Sequence, residues 1–288
     1  MKKSRLAKIL TLSLAAVMVF SLASCGGSSS DTGDKDITVI SREEGSGTRD
    51  AFTELTGILK DDVDRTVDTA EISNSTSVVT QSVAGNDAAI GYISLGSLDD
   101  TVKAVKVDGV EATVDNIKSG DYKIQRPFNI VTKGEVKELP ADFIKFIMSK
   151  DGQKIIEDEG YISVNENAEA YKASGLKGSI TLAGSTSVSP VMEVLADKYK
   201  ELNSGVTIEI QQTGSGAGIQ STTEGVCDIG MASRELKDEE TSQGLKSEEI
   251  ALDGIAVIVN KDNGVEDLSM DQIMKIFTGE IINWADVK

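Results

Sequence analysis

Three short stretches of the chain gather glycines, hydroxyls and one guanidinium in a pattern suited to holding an anion. They are Ser41-Arg42-Glu43-Glu44-Gly45-Ser46-Gly47-Thr48-Arg49, Ala183-Gly184-Ser185-Thr186-Ser187, and Thr213-Gly214-Ser215-Gly216-Ala217-Gly218. Each follows a short apolar run and precedes a helical pattern, so each reads as a turn from the carboxyl end of a strand into a helix. The first turn of a helix presents unpaired N–H groups and a partial positive charge. Glycine lets the backbone approach an oxyanion closely, and Ser and Thr hydroxyls add donors. A helix terminus contributes about 0.3–1 kcal/mol and a hydrogen bond to a charged group about 1.5–3 kcal/mol. Three such loops and Arg42 reach the scale of micromolar binding, about −8 kcal/mol, after ordering costs. One Gly-Ser turn alone is more often a plain N-cap; the three together, with an arginine, point to a site.

The rest of the composition excludes other chemistries. The 288 residues contain no histidine, which removes Ser-His-Asp and Cys-His catalysis and every His-ligated metal site. Two cysteines, Cys25 and Cys227, cannot build a thiolate metal site or a disulfide framework. No Gly-Lys-Ser/Thr marks a Walker loop, and neither Gly-Ser-Gly has a histidine base to make it a nucleophile elbow. The pairs Glu239-Glu240 and Glu248-Glu249 read as solvated helix faces. No catalytic residue, metal or cofactor is expected, and an enzyme such as a phosphatase is disfavoured. A net charge of −18 argues against nucleic acid. It also repels anions at long range, so binding must come from short-range dipoles and Arg42.

Residues 1–24 read as an export signal: Lys2, Lys3, Arg5 and Lys8, then an apolar stretch from Ile9 to Leu22, too short for a confident membrane span. Leu22-Ala23-Ser24-Cys25 resembles a bacterial lipobox, which implies cleavage before Cys25 and its lipidation. The alternative is an ordinary signal peptide with an incidental cysteine. Residues 25–36, rich in Gly, Ser and Asp, read as a flexible tether. Cleavage leaves 264 residues and removes four positive charges, taking the net charge from −18 to −22. Cys227, in a short apolar run, reads as a buried small hydrophobe.

The elements that must position the loops follow from periodicity. Strands are expected at 37–40, 88–93, 102–107, 128–132, 180–183, 206–211, 227–231 and 250–259. Helices are expected at 48–59, 78–83, 140–148, 188–200, 216–223 and 269–277, the last with a Ser269…Gln272 capping box and Gly279 as its stop. Asp108-Gly109 signals a hairpin turn. Alternating strands and helices argue for an α/β fold with mostly parallel sheets. The polar, Ala-rich 165–178 reads as an internal joint.

Ile40 to Phe52 resembles the signature of the phosphate-binding proteins of ABC phosphate importers, the PstS family. Ala183 to Val188, Gln212 to Gly218 and Asp228 to Arg234 resemble that family's three earlier loops. Ala251 to Asn260, Ile276 to Trp284, Arg126 to Gly134 and Gly160 to Val164 resemble its connecting stretches. The family's order is reversed here: its first part matches 179–288 and its second 37–164. This resembles a circular permutation with 165–178 joining the ancestral ends; a piece of a tandem duplication or an error in the gene's reading are the alternatives. The resemblance implies two α/β lobes of the periplasmic-binding-protein kind with a ligand cleft between them. One lobe would be split between 37–97 and 257–288, the other continuous over 98–256. It implies an extracytoplasmic receptor, lipid-anchored at Cys25 in the cell membrane. The receptor would bind inorganic phosphate through Arg42, Ser46, Gly47, Thr48, Thr186, Ser187, Ser215 and Ser233. It would deliver the ion to an ABC permease and its ATPase complex. Ser233 stands where some members carry a proton-accepting aspartate, so Ser233 or Glu44 would take that part, unless Glu44 orients Arg42. Another tetrahedral oxyanion, sulfate or molybdate, is the alternative ligand.

Overall fold

The computed structural model describes residues 35–287. The signal segment 1–24, Cys25 and all but the end of the tether lie outside the described residues.

In chain order, β1 (Thr38–Arg42) leads into α1 (Gly47–Leu55). A small hairpin of β2 (Leu59–Lys60) and β3 (Val63–Asp64) precedes β4 (Glu71–Ser73), α2 (Thr76–Ala84) and β5 (Ala89–Ser94). Next come β6 (Val102–Ala104), β7 (Lys106–Val107), α3 (Val114–Lys118) and β8 (Gln125–Lys133). Then follow α4 (Glu138–Ile147), α5 (Lys150–Asp158) and β9 (Ile162–Ser163). After the joint come β10 (Gly178–Gly184), α6 (Ser189–Leu202), β11 (Val206–Gln212), α7 (Ser215–Glu224), β12 (Ile229–Ala232) and α8 (Asp238–Thr241). The chain returns through β13 (Leu245–Asn260) to β14 (Asp267–Leu268) and α9 (Met270–Phe277). Local rules explain the helix starts. Ser46, Ser75, Thr113, Ser149 and Ser269 each accept a backbone N–H as N-caps, and Ser269 and Gln272 close the expected capping box. α5 lies outside the expected helices, because its core side is Gly152, Gln153 and Ile156 rather than an apolar stripe.

One ten-stranded sheet runs β11-β10-β12-β8-β13-β5-β1-β4, with β6 and β9 also paired to β13. The outer pairs β10–β11, β10–β12, β1–β4 and β1–β5 are parallel, as the βα alternation requires. The two central strands, β8 and β13, are antiparallel to their neighbours, so the sheet is more mixed than expected.

Two cores flank these central strands. Phe52, Ile90, Tyr92, Ile117, Tyr122, Val257 and Phe277 belong to one, and Phe128, Phe143, Phe146, Leu182, Leu195, Tyr199 and Met231 to the other. They define two lobes. Residues 102–124 pack with the first core and with a third cluster around Ile40 and Val79, because β6 pairs with the late half of β13 and β7 with β14. The first core draws mainly on 35–124 and 253–287 and the second on 126–251, beside an expected division into 37–97 with 257–288 and a continuous 98–256. The connections between lobes run side by side where Arg126 and Asp253 are ladder partners. Their side chains form an ion pair at 3.0 Å, each 1% exposed. Ser94 donates to Asp253 Oδ1 at 2.9 Å, and Arg126 Nη1 donates to the Ser233 carbonyl at 3.3 Å.

The joint is pinned to the second lobe. Tyr171 and Ser174 donate to Asp142 Oδ2 at 2.6 and 2.7 Å, and Tyr199 donates to the same oxygen at 2.6 Å. Burial alone would raise the Asp142 carboxyl, but these hydroxyl donors outweigh it and hold it below the ordinary 3.8. A carboxyl depressed on folding adds stability above its unfolded pKa and loses it as the pH falls through the folded value. Tyr171→Phe should cost about 1–2 kcal/mol in urea unfolding near neutral pH. The stability gap between the natural chain and Asp142→Asn should narrow as the pH falls from about 5 to about 3; a constant gap would remove the staple.

Candidate functional site

Four strand-to-helix turns meet between the lobes. Two belong to the first lobe, β1 into α1 and β4 into α2; two belong to the second, β10 into α6 and β11 into α7. Three are the loops read from the sequence. The fourth, Ser73-Asn74-Ser75-Thr76, was missed. Its signal is the hydroxyl run between Ile72 and Val78, masked because β4 is three residues long with Glu71 and Ile72 exposed.

Arg42 ends β1 and is 2% exposed. Tyr92 of β5 fixes the strand's end: its hydroxyl shares a hydrogen bond with Ser41 Oγ at 2.8 Å and accepts the Arg42 N–H at 3.1 Å. The Tyr92 ring stacks on Phe52 of α1 at 4.0 Å between centroids, and Phe52 meets Phe277 edge-on. This aromatic stack sets α1 beneath the arginine. Arg49 closes the loop by donating to the Arg42 carbonyl at 2.8 Å and to Asp64 at 2.7 Å. Glu43 forks the guanidinium, accepting Nε and Nη2 at 2.8 Å each. Glu44, the residue expected to orient Arg42, is exposed. At the end of β1 the Glu43 side chain lies against the guanidinium, while Glu44 enters the turn at Gly45, where φ is 81°.

From Arg42 a belt of hydroxyls crosses between lobes. Nη2 donates to Thr186 Oγ1 at 3.1 Å. Thr186 meets Thr76 at 3.2 Å, Thr76 meets Ser187 at 3.1 Å, and Ser187 meets Thr48 at 2.9 Å. On the other side Ser185 donates to Ser233 at 2.9 Å, Ser233 meets Ser215 at 3.3 Å, and Ser215 Oγ accepts the Ser233 N–H at 3.2 Å. Ser185 also accepts the N–H groups of Ser187 and Val188 at the approach to α6. Gly47 touches this second group: a Cβ there would collide with Ser215 Oγ and crowd Ser233 Oγ. The Gly216 N–H donates to the Gly45 carbonyl across the cleft at 2.9 Å.

Arg42, Gly47, Thr48, Thr186, Ser187, Ser215 and Ser233 thus come together, with Thr76, Ser185 and Glu43 added. Ser46 is buried beside them, but its Oγ caps α1, accepting the Arg49 N–H at 3.4 Å. Every hydroxyl of the belt is 5% exposed or less. Such groups lose water and must bond one another or a ligand. Four hydroxyls joined by three bonds commit three protons and leave one free, and each bonded proton can turn from its neighbour to an acceptor-rich guest. Among the described residues no group of three or more His, Cys, Asp or Glu could hold a metal ion. Cys227 is buried, as expected, and burial pushes its thiol up.

A profile described as a PBP superfamily domain matches residues 6–151 and 169–288. "Phosphate-binding protein PstS 2" of Streptococcus agalactiae is 50% identical, over 100% of this chain and 99% of its own. "Phosphate-binding protein PstS" of Bacillus subtilis is 38% identical, over 43% of each chain. The crystal structure of a phosphate-binding protein of a phosphate ABC transporter from Streptococcus pneumoniae TIGR4 superposes with a TM-score of 0.72. It is 49% identical and covers 88% of this chain and 100% of its own.

Gly47→Ala tests the convergence. Alanine suits the first turn of α1, so stability should change by about 1 kcal/mol or less. The added methyl should hold the lobes apart, read by small-angle scattering as a larger, more open particle than the natural chain. Unchanged scattering would separate Gly47 from closure.

Proposed function

The chain belongs to the PBP superfamily and within it to the PstS phosphate-binding proteins, and on that premise we propose the atoms by which it captures its ligand. It is a solute-binding protein of an ABC phosphate importer, not an enzyme, and it works outside the cytoplasm. Phosphate sits in the cleft between the four turns. Arg42 supplies a charge-assisted pair. Thr48, Thr76, Thr186, Ser187, Ser215 and Ser233 supply hydroxyls, Gly47 its N–H, and Ser46 a hydroxyl once its hold on α1 is shared. The observation that carries this reading is the belt from Arg42 through Thr186, Thr76 and Ser187 to Thr48, in which both lobes contribute buried donors. Glu43 divides the guanidinium with the ion. With a serine at 233, Glu43, held against Arg42, is the carboxylate we assign to accept from a protonated phosphate oxygen.

The mature chain hangs from the membrane by a lipid on Cys25 and hands phosphate to a permease and its ATPase complex. The Lys2 to Cys25 pattern and the importer family support this. A circularly permuted order fits two observations. The match to the Bacillus subtilis relative stops at 43% of each chain, whereas the Streptococcus agalactiae relative aligns throughout. The described ends also lie side by side: the Trp284 N–H donates to the Lys35 carbonyl at 3.0 Å and Ile37 to Ile282 at 2.8 Å. Adjacent ends are what permutation requires.

Calorimetry of the mature chain should show saturable phosphate binding. Arg42→Ala should weaken it by at least about 1.5–3 kcal/mol, and Thr76→Ala by about 1 kcal/mol. Heat with sulfate or molybdate but none with phosphate would overturn the ligand, and a near-normal Arg42→Ala would move the site. In cells, Cys25→Ser should release the protein from the membrane fraction; retention there would remove the lipid anchor.

A further inference from the structure

Just outside the hydroxyl belt, three charged side chains bridge the same two lobes. Arg234 immediately follows Ser233, after β12 of the second lobe. Asp50 lies two residues past Thr48, on α1 of the first lobe. Arg234 Nε comes within 2.9 Å of Asp50 Oδ2, the two side chains being 8% and 27% exposed. On its own lobe Arg234 is held rigidly. Glu240 accepts Nη1 and Nη2 at 2.8 Å each, and Nη1 also donates to the Glu235 carbonyl at 2.8 Å. Asn129 donates to the Arg234 carbonyl at 3.0 Å, fixing the backbone. Lys237 approaches Asp50 at 3.7 Å from the same lobe.

We infer that Arg234 and Asp50 form a clasp that sets how long phosphate stays bound, by holding the lobes shut without touching the ion. The inference rests on the phosphate reading of the cleft. The stretch that carries Ser233 into the belt also carries Arg234, and the helix turn that carries Gly47 and Thr48 also carries Asp50. Closing the belt therefore brings the pair together, and opening the lobes to release the ion must separate it. Glu240 keeps the guanidinium posed in either arrangement, so closure orders little beyond Asp50. Asp50 Oδ2 and Arg234 Nε are both buried and lack an aligned hydrogen bond, so their attraction is Coulombic. A charge pair of this kind at a closing interface acts mainly on departure rather than on encounter. Arg234 and Asp50 are positioning residues for capture, not ligands.

Stopped-flow phosphate release from the mature chain tests this with Asp50→Asn, Arg234→Gln, the double variant and Asp50→Glu. Either single change should speed release about three- to tenfold, with association altered by less than about twofold. The double should be little faster than the singles, and Asp50→Glu should restore slow release. Fluorescent labels on the two lobes should report a wider ligand-free cleft in Asp50→Asn at unchanged melting temperature with saturating phosphate. Release unchanged in Asp50→Asn, or rates that multiply in the double, would overturn the clasp while leaving the site intact. A natural chain that binds no phosphate would overturn the site reading, and the clasp with it.

Discussion

Everything in the cleft follows from one constraint: hydroxyls taken from water must find partners, and here the partners sit on opposite lobes. Thr48 meets Ser187 and Thr76 meets Thr186 only when the lobes touch. A buried polar group left alone costs about 1–3 kcal/mol, so separation of the lobes must readmit water to the whole belt at once. That makes the closed arrangement nearly all-or-none rather than graded. It also suits a tetrahedral oxyanion, which accepts from many directions and so draws hydroxyl protons away from their neighbours. The strong negative charge of the chain does not defeat this, because dipoles and hydroxyls act at contact distance while the net charge acts through screened solvent.

Behind the belt, the crossing strands carry the other buried ions. Arg126 and Asp253 face each other in the ladder, and Ser94 and the Ser233 carbonyl take up further bonds. Burial pushes the Asp253 carboxyl up to about 6 even though Arg126 opposes the shift. A slip of one residue between β8 and β13 would strand both charges in the interior. The pair thus locks the register at the point where the lobes pivot, and it links that pivot to the backbone of Ser233.

Much of this was legible in the sequence, and the exceptions have physical causes. The turns at Arg42, Thr186 and Ser215 announce themselves because glycine, hydroxyl and strand-to-helix pattern coincide. Thr76 escaped because β4 is three residues long and largely exposed, which erases the strand signal before its turn. Glu43 and Glu44 look alike on paper; only the direction of the chain at Gly45 decides which one meets Arg42. The packing of 102–107 follows from pairing of β6 with the late half of β13, which joins residues as distant as Lys103 and Val259, and no local pattern records it. Asp50 and Arg234 lie in two of the resembling stretches, but nothing in the sequence pairs one with the other. Their partnership is a product of the fold.

The split first lobe imposes an order of assembly. Its core needs Val257, Ile273, Phe277 and Trp284 from the last stretch of the chain, and Trp284 also donates its ring N–H to the Ala88 carbonyl at 2.9 Å. A polypeptide emerging from its N-terminus therefore delivers Arg42 early but cannot seat it. The continuous lobe can condense first, and the half that holds the guanidinium waits for the final residues. A ribosome that stops short would leave one finished jaw with nothing to close against.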